Sequence, residues 1–139
     1  MSEDKRKLSA ECWRRGNDAM QSENWDYSIQ MFSQCVTFEP DNLLFRQALR
    51  GVEMKKYGDN KAGARMGGMK LMGPRGRIKK ARLSRNWEAI DKAAEEGLAI
   101  NPWDAQLNAD VGEANRNLGN PAVAAFAYEK AVECDGENK

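Results

Sequence analysis

The chain has 139 residues, of which 41% are hydrophobic and 31% charged, with a net charge of +1. This is the size and composition of a single globular domain with room for a core. There is no run of about 20 apolar residues to cross a membrane and no apolar run after the charged start to act as a secretory leader, so a cytoplasmic location is expected. Histidine is absent, and Cys12, Cys35 and Cys134 form no C-x-x-C pair and no even set. The composition therefore offers no neutral-pH imidazole base, no imidazole metal ligand and no disulfide framework, and no cofactor is expected.

In chain order, Gly16 precedes a break at Asn24, after which Ile29, Phe32 and Val36 recur at helical spacing. Phe45, Ala48, Leu49 and Val52 then share one face of a helix predicted over 43–56. Residues 57–73 contain Gly58, Gly63, Gly67, Gly68 and Gly73, too many for a stable helix, and are expected to be a mobile loop. Ile78 and Ala81 put 72–84 back in helical register, and Asn86-Trp87 opens another helix. Val111, Ala114 and Leu118 define one face of the next helix, which Gly119-Asn120 ends. Asn120 is placed to cap the last helix and Pro121 suits its first position. There, Ala124, Ala127, Tyr128 and Ala131 recur at i, i+3, i+4 and i+7. No alternating run is bounded by hairpin turns, so the fold class is all-α.

The pattern repeats. Trp25 and Trp87 are 62 residues apart, as are Pro40 and Pro102; Pro121 follows Trp87 by 34, and Gly136 follows Pro102 by 34. The chain thus reads as three 34-residue units, 9–42, 43–104 and 105–138, the middle one carrying a 28-residue insertion near 57–84. Small residues recur where paired helices would touch: Gly16, Ser28 and Cys35 early, Gly112, Ala124 and Ala131 late. Either 43–56 or 72–84 serves as the first helix of the middle unit. With these residues in register, the chain resembles a tetratricopeptide repeat (TPR) protein. The last unit matches best, through Gly112, Ala124, Tyr128 and Ala131; the first has Cys12 where the family carries a leading tryptophan, with Trp13 one residue late. The resemblance implies antiparallel helical hairpins stacked as a short solenoid, with a groove on the first helices that holds a segment of another protein.

Carried over by position, the groove residues are Ala10, Trp13, Asn17, Met20 and Gln21 in the first unit, and Gln106, Ala109, Glu113, Arg116 and Asn117 in the last; if 43–56 is the first helix of the middle unit, that unit adds Leu44, Gln47, Gly51, Met54 and Lys55. Trp13 has a competing reading as a packing residue of the first hairpin. The second candidate surface is cationic. Residues 55–85 hold 11 Lys and Arg against one acid, Asp59, while the rest of the chain carries −9. Arg75, Arg77, Lys79, Lys80, Arg82 and Arg85 are its densest part, suited to phosphates, nucleic acid or an anionic surface. No aromatics are interleaved for base stacking, and the competing reading pairs these cations with the chain's own acids. Met66, Met69 and Met72 are read as flexible apolar contacts rather than as soft-metal ligands. Phosphate-loop and nucleophile-elbow motifs are absent, so the expectation is not an enzyme. Val123, Phe126, Ala127 and Val132 are expected to be only partly covered on the last helix, which points to self-association there. The sequence therefore indicates an adaptor that binds another protein in its groove, with the basic insertion as an auxiliary anionic contact; the alternative is a nucleic-acid or ribosome-associated factor acting through that insertion.

Overall fold

The computed structural model describes residues 2–137, Glu137 by its backbone alone. Among the described residues there are eight helices and no strand: α1 (Glu3–Gln21), α2 (Trp25–Phe38), α3 (Leu43–Lys56), the single turn α4 (Gly67–Lys70), α5 (Met72–Leu83), α6 (Trp87–Ile100), α7 (Ala105–Leu118) and α8 (Pro121–Glu137). The chain divides into two compact units, Met1–Asp59 and Asn60–Lys139. In the first, α2 packs against both α1 and α3; in the second, α5, α6, α7 and α8 pack in succession.

The same local chemistry ends and starts the helices at each repeat. At the three hairpin turns the Asn24, Asn86 and Asn120 amides donate to the Ala19, Ala81 and Asn115 carbonyls, five residues back, at 2.8, 3.0 and 2.8 Å. The preceding residue is left-handed each time: Glu23 (φ 61°), Arg85 (φ 52°) and Gly119 (φ 82°). That is a Schellman-type stop, which only the last turn makes with the residue best suited to it. Asn24 and Asn86 then cap the next helix, accepting from the Tyr27 and Ala89 amides. Asn120 departs from expectation: its side-chain amide instead donates to Asn115 Oδ1 at 3.0 Å.

The 62-residue spacing is visible in the helix bounds. Displaced by 62, α2 coincides with α6 and α3 with α7. The turns between these helices also match. The Arg46 guanidinium donates to the Pro40 carbonyl and the Asn108 amide to the Pro102 carbonyl. Residues 43–56 and 72–83 are both helical, α3 packing on α2 and α5 on α6. The expected glycine loop ends earlier than position 73. Gly67–Lys70 makes a helical turn, buried Leu71 joins the core, and Gly73 lies in the first turn of α5. Pro74 is tolerated there because the first helical N–H groups have no intrahelical acceptor. Upstream, Asn60 Oδ1 accepts from the Ala62 and Gly63 amides, and the Ala64 amide donates to the Ile100 carbonyl.

Two cores result. Phe32, Cys35, Val36, Phe45, Leu49 and Val52 are buried together in the first unit. Leu71, Ile78, Ile90, Ala94, Leu98, Leu107, Val111, Val123 and Ala127 belong to the buried cluster of the second. Val123 and Ala127 are thus fully covered, against expectation, because α8 turns that stripe onto α7; Phe126 is half-buried and Val132 is exposed. Where the hairpin helices cross, a small residue meets a large one. A Cβ on Gly16 would lie 2.6 Å from Phe32 Cδ1, and one on Gly112 2.8 Å from Tyr128 Cδ1. The Ser28 hydroxyl also donates to the Gly16 carbonyl across the first hairpin at 2.8 Å.

Gly16→Ala is expected to destabilise the first unit by about 1–2 kcal/mol, because crowding against the wholly buried Phe32 outweighs the gain in helix propensity. Gly51→Ala, in an exposed helix interior with nothing within 4 Å of the new Cβ, is expected to stabilise by about 0.5–1 kcal/mol. Urea midpoints followed by circular dichroism check both signs.

Candidate partner-binding face

In the first unit, the expected groove residues divide. Trp13 lies with its ring centroid 5.2 Å from that of Phe32 and 5.3 Å from that of Phe45, so it packs the core of the first unit. Met20 is half-buried against the same core. Asn17 is half-buried and donates to the Trp13 carbonyl at 2.9 Å, one turn back along its own helix. Gln21 is exposed. These residues are mostly used by the hairpin itself. The reason lies in Phe45, whose arrival against Trp13 depends on how α3 packs.

In the second unit, a shallow depression of about 340 Å³ is lined by Arg82 of α5, Gln106, Ala109, Asp110 and Glu113 of α7, and Tyr128 of α8. It gathers the expected Gln106, Ala109 and Glu113 with three residues not chosen from sequence as groove members. Arg116 and Asn117 lie exposed near the end of the same helix; the Asn117 amide donates to the Glu113 carbonyl at 2.9 Å.

The chemistry of the depression is set by Arg82. Its guanidinium donates to Asp110 at 2.6 Å and also pairs with Glu113. The Gln106 amide donates to the same Asp110 oxygen at 2.9 Å. The hydrogen bond to Glu113 raises the Arg82 pKa, and the guanidinium stays charged. Asp110 is only 4% exposed, and its burial pushes the carboxyl above its ordinary range despite the Gln106 hydrogen bond and the Arg82 charge. Desolvation of the carboxylate outweighs its partners. The i,i+4 spacing of Gln106 and Asp110 was visible in the sequence; the tie to Arg82, 28 residues earlier, was not.

The basic cluster is partly neutralised from within. Arg75 pairs with Asp104, and Arg77 with Glu96 at 2.5 Å. With Arg82, three of the six expected anion-binding residues are thereby engaged. Lys79, Lys80 and Arg85 are exposed and make no ion pair among the described residues. Elsewhere, burial pushes the Cys35 thiol up to about 12, so it is an inert core group. Cys12 is half-buried.

The hairpins, their repeated stops and the small-against-aromatic crossings fit a TPR-like protein. The chain is similar in structure to the Sgt2 TPR domain from Aspergillus fumigatus, at 18% identity and a TM-score of 0.39, covering 97% of this chain and 68% of that one. It is also similar to a MamA protein structure, at 14% identity and a TM-score of 0.45, covering 94% of this chain and 74% of that one. No family model matches the chain, and no curated protein does. No helix among the described residues is long and apolar enough to cross a membrane.

Two outcomes test this geometry. Because the folded pKa of Asp110 is raised, the native state holds the proton more tightly than the unfolded chain. Its contribution to stability is full below the ordinary value of 3.8 and is lost as pH rises through the folded pKa. The stability of the wild type minus that of Asp110→Asn should therefore fall with rising pH above about 3.8, measured by urea titration at each pH. Trp13→Ala is expected to cost about 2–4 kcal/mol of first-unit stability, seen in the same assay, because it empties the space between Phe32 and Phe45.

Proposed function

We propose that this chain is a non-catalytic adaptor that binds a segment of another protein on the α7 face of its second unit. The depression bounded by Arg82, Gln106, Ala109, Asp110, Glu113 and Tyr128 is the observation that carries this reading. Its polar groups are held in place by hydrogen bonds before any partner arrives, so little ordering cost remains at binding. Tyr128, 36% exposed, offers apolar area with a hydroxyl at its tip. Arg116 and Asn117 extend the polar surface along α7. Asp110 and Glu113 already take up the Arg82 guanidinium, so the depression leaves no open cation for a carboxylate, and the fitting segment is a neutral or basic one with an apolar side chain for Tyr128 and Ala109. In the first unit, Gln21 is the groove candidate left outward; Trp13, Asn17 and Met20 support the hairpin.

The alternative, a nucleic-acid or ribosome-associated factor working through residues 55–85, has fewer available cations than the sequence suggested. Arg75, Arg77 and Arg82 are committed to Asp104, Glu96, Asp110 and Glu113.

The test is quantitative affinity capture from the native lysate, with and without nuclease, using the wild type, Ala109→Arg and a Lys79→Glu/Lys80→Glu double variant. Ala109→Arg fills the depression from an accessible position. The adaptor reading expects a discrete set of proteins that survives nuclease, drops at least ~10-fold with Ala109→Arg, equivalent to the loss of about 1.4 kcal/mol, and is retained by the double-lysine variant. Nucleic acid in the eluate, with proteins lost on nuclease treatment or with the lysine variant, transfers the function to α5.

A further inference from the structure

Around α5, the residues sort by direction. Pro74, Ile78 and Ala81 form the buried stripe. Arg75 and Arg82 flank it on one side and pair with Asp104 and Asp110 of the α7 region; Arg77 flanks it on the other and pairs with Glu96 of α6. The stripe opposite the buried one, at about 100° per residue, is Met72, Gly76, Lys79, Lys80 and Leu83. None of these turns inward: Met72 is 70% exposed, Leu83 is 89% exposed, and both lysines are exposed. The turn just before continues the same chemistry, with Met66 and Met69 at 67% and 65% exposure. Arg65 and Lys70 beside them are exposed too, and no acid occurs between residues 60 and 85.

We infer that this outward face of α4 and α5 docks on the surface of an anionic lipid bilayer. This is independent of the α7 reading, which uses a different face of the second unit. The charge argument comes first. Arg65, Lys70, Lys79 and Lys80 make no ion pair among the described residues, so their complement is an anion. The apolar argument narrows the anion. Met66, Met69, Met72 and Leu83 project from the surface, and projecting flexible side chains flanked by cations suit a medium that yields around them. A bilayer interface does so, taking apolar tips below its headgroups while the headgroups meet the lysines. A nucleic acid offers the charge but no apolar layer, and the face has no aromatic ring on which a base could stack.

The test is co-sedimentation of the full chain with vesicles of phosphatidylcholine alone and of phosphatidylcholine with 30 mol% phosphatidylglycerol, a composition set by the experiment (about a third anionic, within the range over which basic surfaces are attracted). Binding is expected only to the anionic vesicles and is expected to weaken as salt rises. Each lysine at such a surface contributes about fivefold in partitioning, so Lys79→Glu/Lys80→Glu should lower it at least ~25-fold. Met69→Ser/Met72→Ser should also lower it and make the remainder fully salt-sensitive. Both variants alter exposed side chains and should keep the wild-type helicity and urea midpoint. Lys5→Glu, an exposed charge on α1, makes a like change of net charge outside α4 and α5 and should leave binding unchanged. The inference is overturned by equal binding to both vesicles, by an equal loss with Lys5→Glu, by no effect of the methionine variant, or by tighter binding to a single-stranded RNA that the methionine variant leaves intact.

Discussion

Everything in this fold rests on how closely the two helices of a hairpin approach each other. The crossing partners Gly16 with Phe32 and Gly112 with Tyr128 are each 16 residues apart, and Ile78 and Ala94, between them in the chain, have the same spacing in the α5–α6 pair. In the first and third, the glycine lets an aromatic ring lie against backbone. In the middle pair the sizes are exchanged, and Ile78 and Ala94 sit in one buried cluster. One large and one small residue fill the first and third crossings, and Ile78 with Ala94 carries the same combination of sizes in reverse order. Packing at interior density requires this compensation, since adding bulk to both members, or to neither, leaves overlap or a void.

The same constraint explains how arginine and lysine are distributed on α5. A helix held only by Pro74, Ile78 and Ala81 has a narrow apolar stripe, and rotation about its axis would be weakly specified. Arg75, Arg77 and Arg82 fix it. Only one rotation of α5 lets them reach Asp104, Glu96 and Asp110 together. Guanidinium suits this work, with fixed donors directed at carboxylates and an apolar stem lying along the neighbouring helix. The lysines, more strongly hydrated, are left on the outer stripe. Sequence charge therefore overstated the anion-binding power of this segment: the run of cations includes structural arginines and surface lysines, which counting treats alike.

Much of the architecture was legible in the sequence because it rests on local chemistry. Helical periodicity located the helices; the capping bond expected at Asn120 is made instead at Asn24 and Asn86, the corresponding positions of the other hairpins. The 62-residue spacing of Trp25 and Trp87 proved to be the displacement between whole helices. The glycine-rich stretch was harder to read. Gly73 and Gly76 lower helix propensity, but α5 is held by burial and by arginines whose partners lie 19 to 31 residues away, and tertiary contacts override propensity. The site was least legible. Whether Trp13 faces a groove or a core depends on Phe45, 32 positions later, and no local pattern encodes that. The depression needed Arg82 and Tyr128 beside α7, two residues that the repeat pattern assigns to different helices.

Asp110 shows what such a site costs and yields. Its burial disfavours the charged carboxyl more than Gln106 and Arg82 favour it, so the pair is a costly way to join α5 and α7, and apolar pairs of similar volume often do as well or better. What the carboxylate supplies is direction. Accepting from Gln106 on its own helix and from Arg82 on α5, it orients both donors and leaves Ala109 as the small floor between them. Glu113 takes the second branch of the guanidinium, which keeps Arg82 from swinging into solvent. A depression lined by alanine and by groups already fixed in place is suited to selecting shape and hydrogen-bond pattern, whereas exposed lysines on long stems are suited to little beyond charge. The second unit thus carries two chemically different faces, and the arginines that join its helices lie between them.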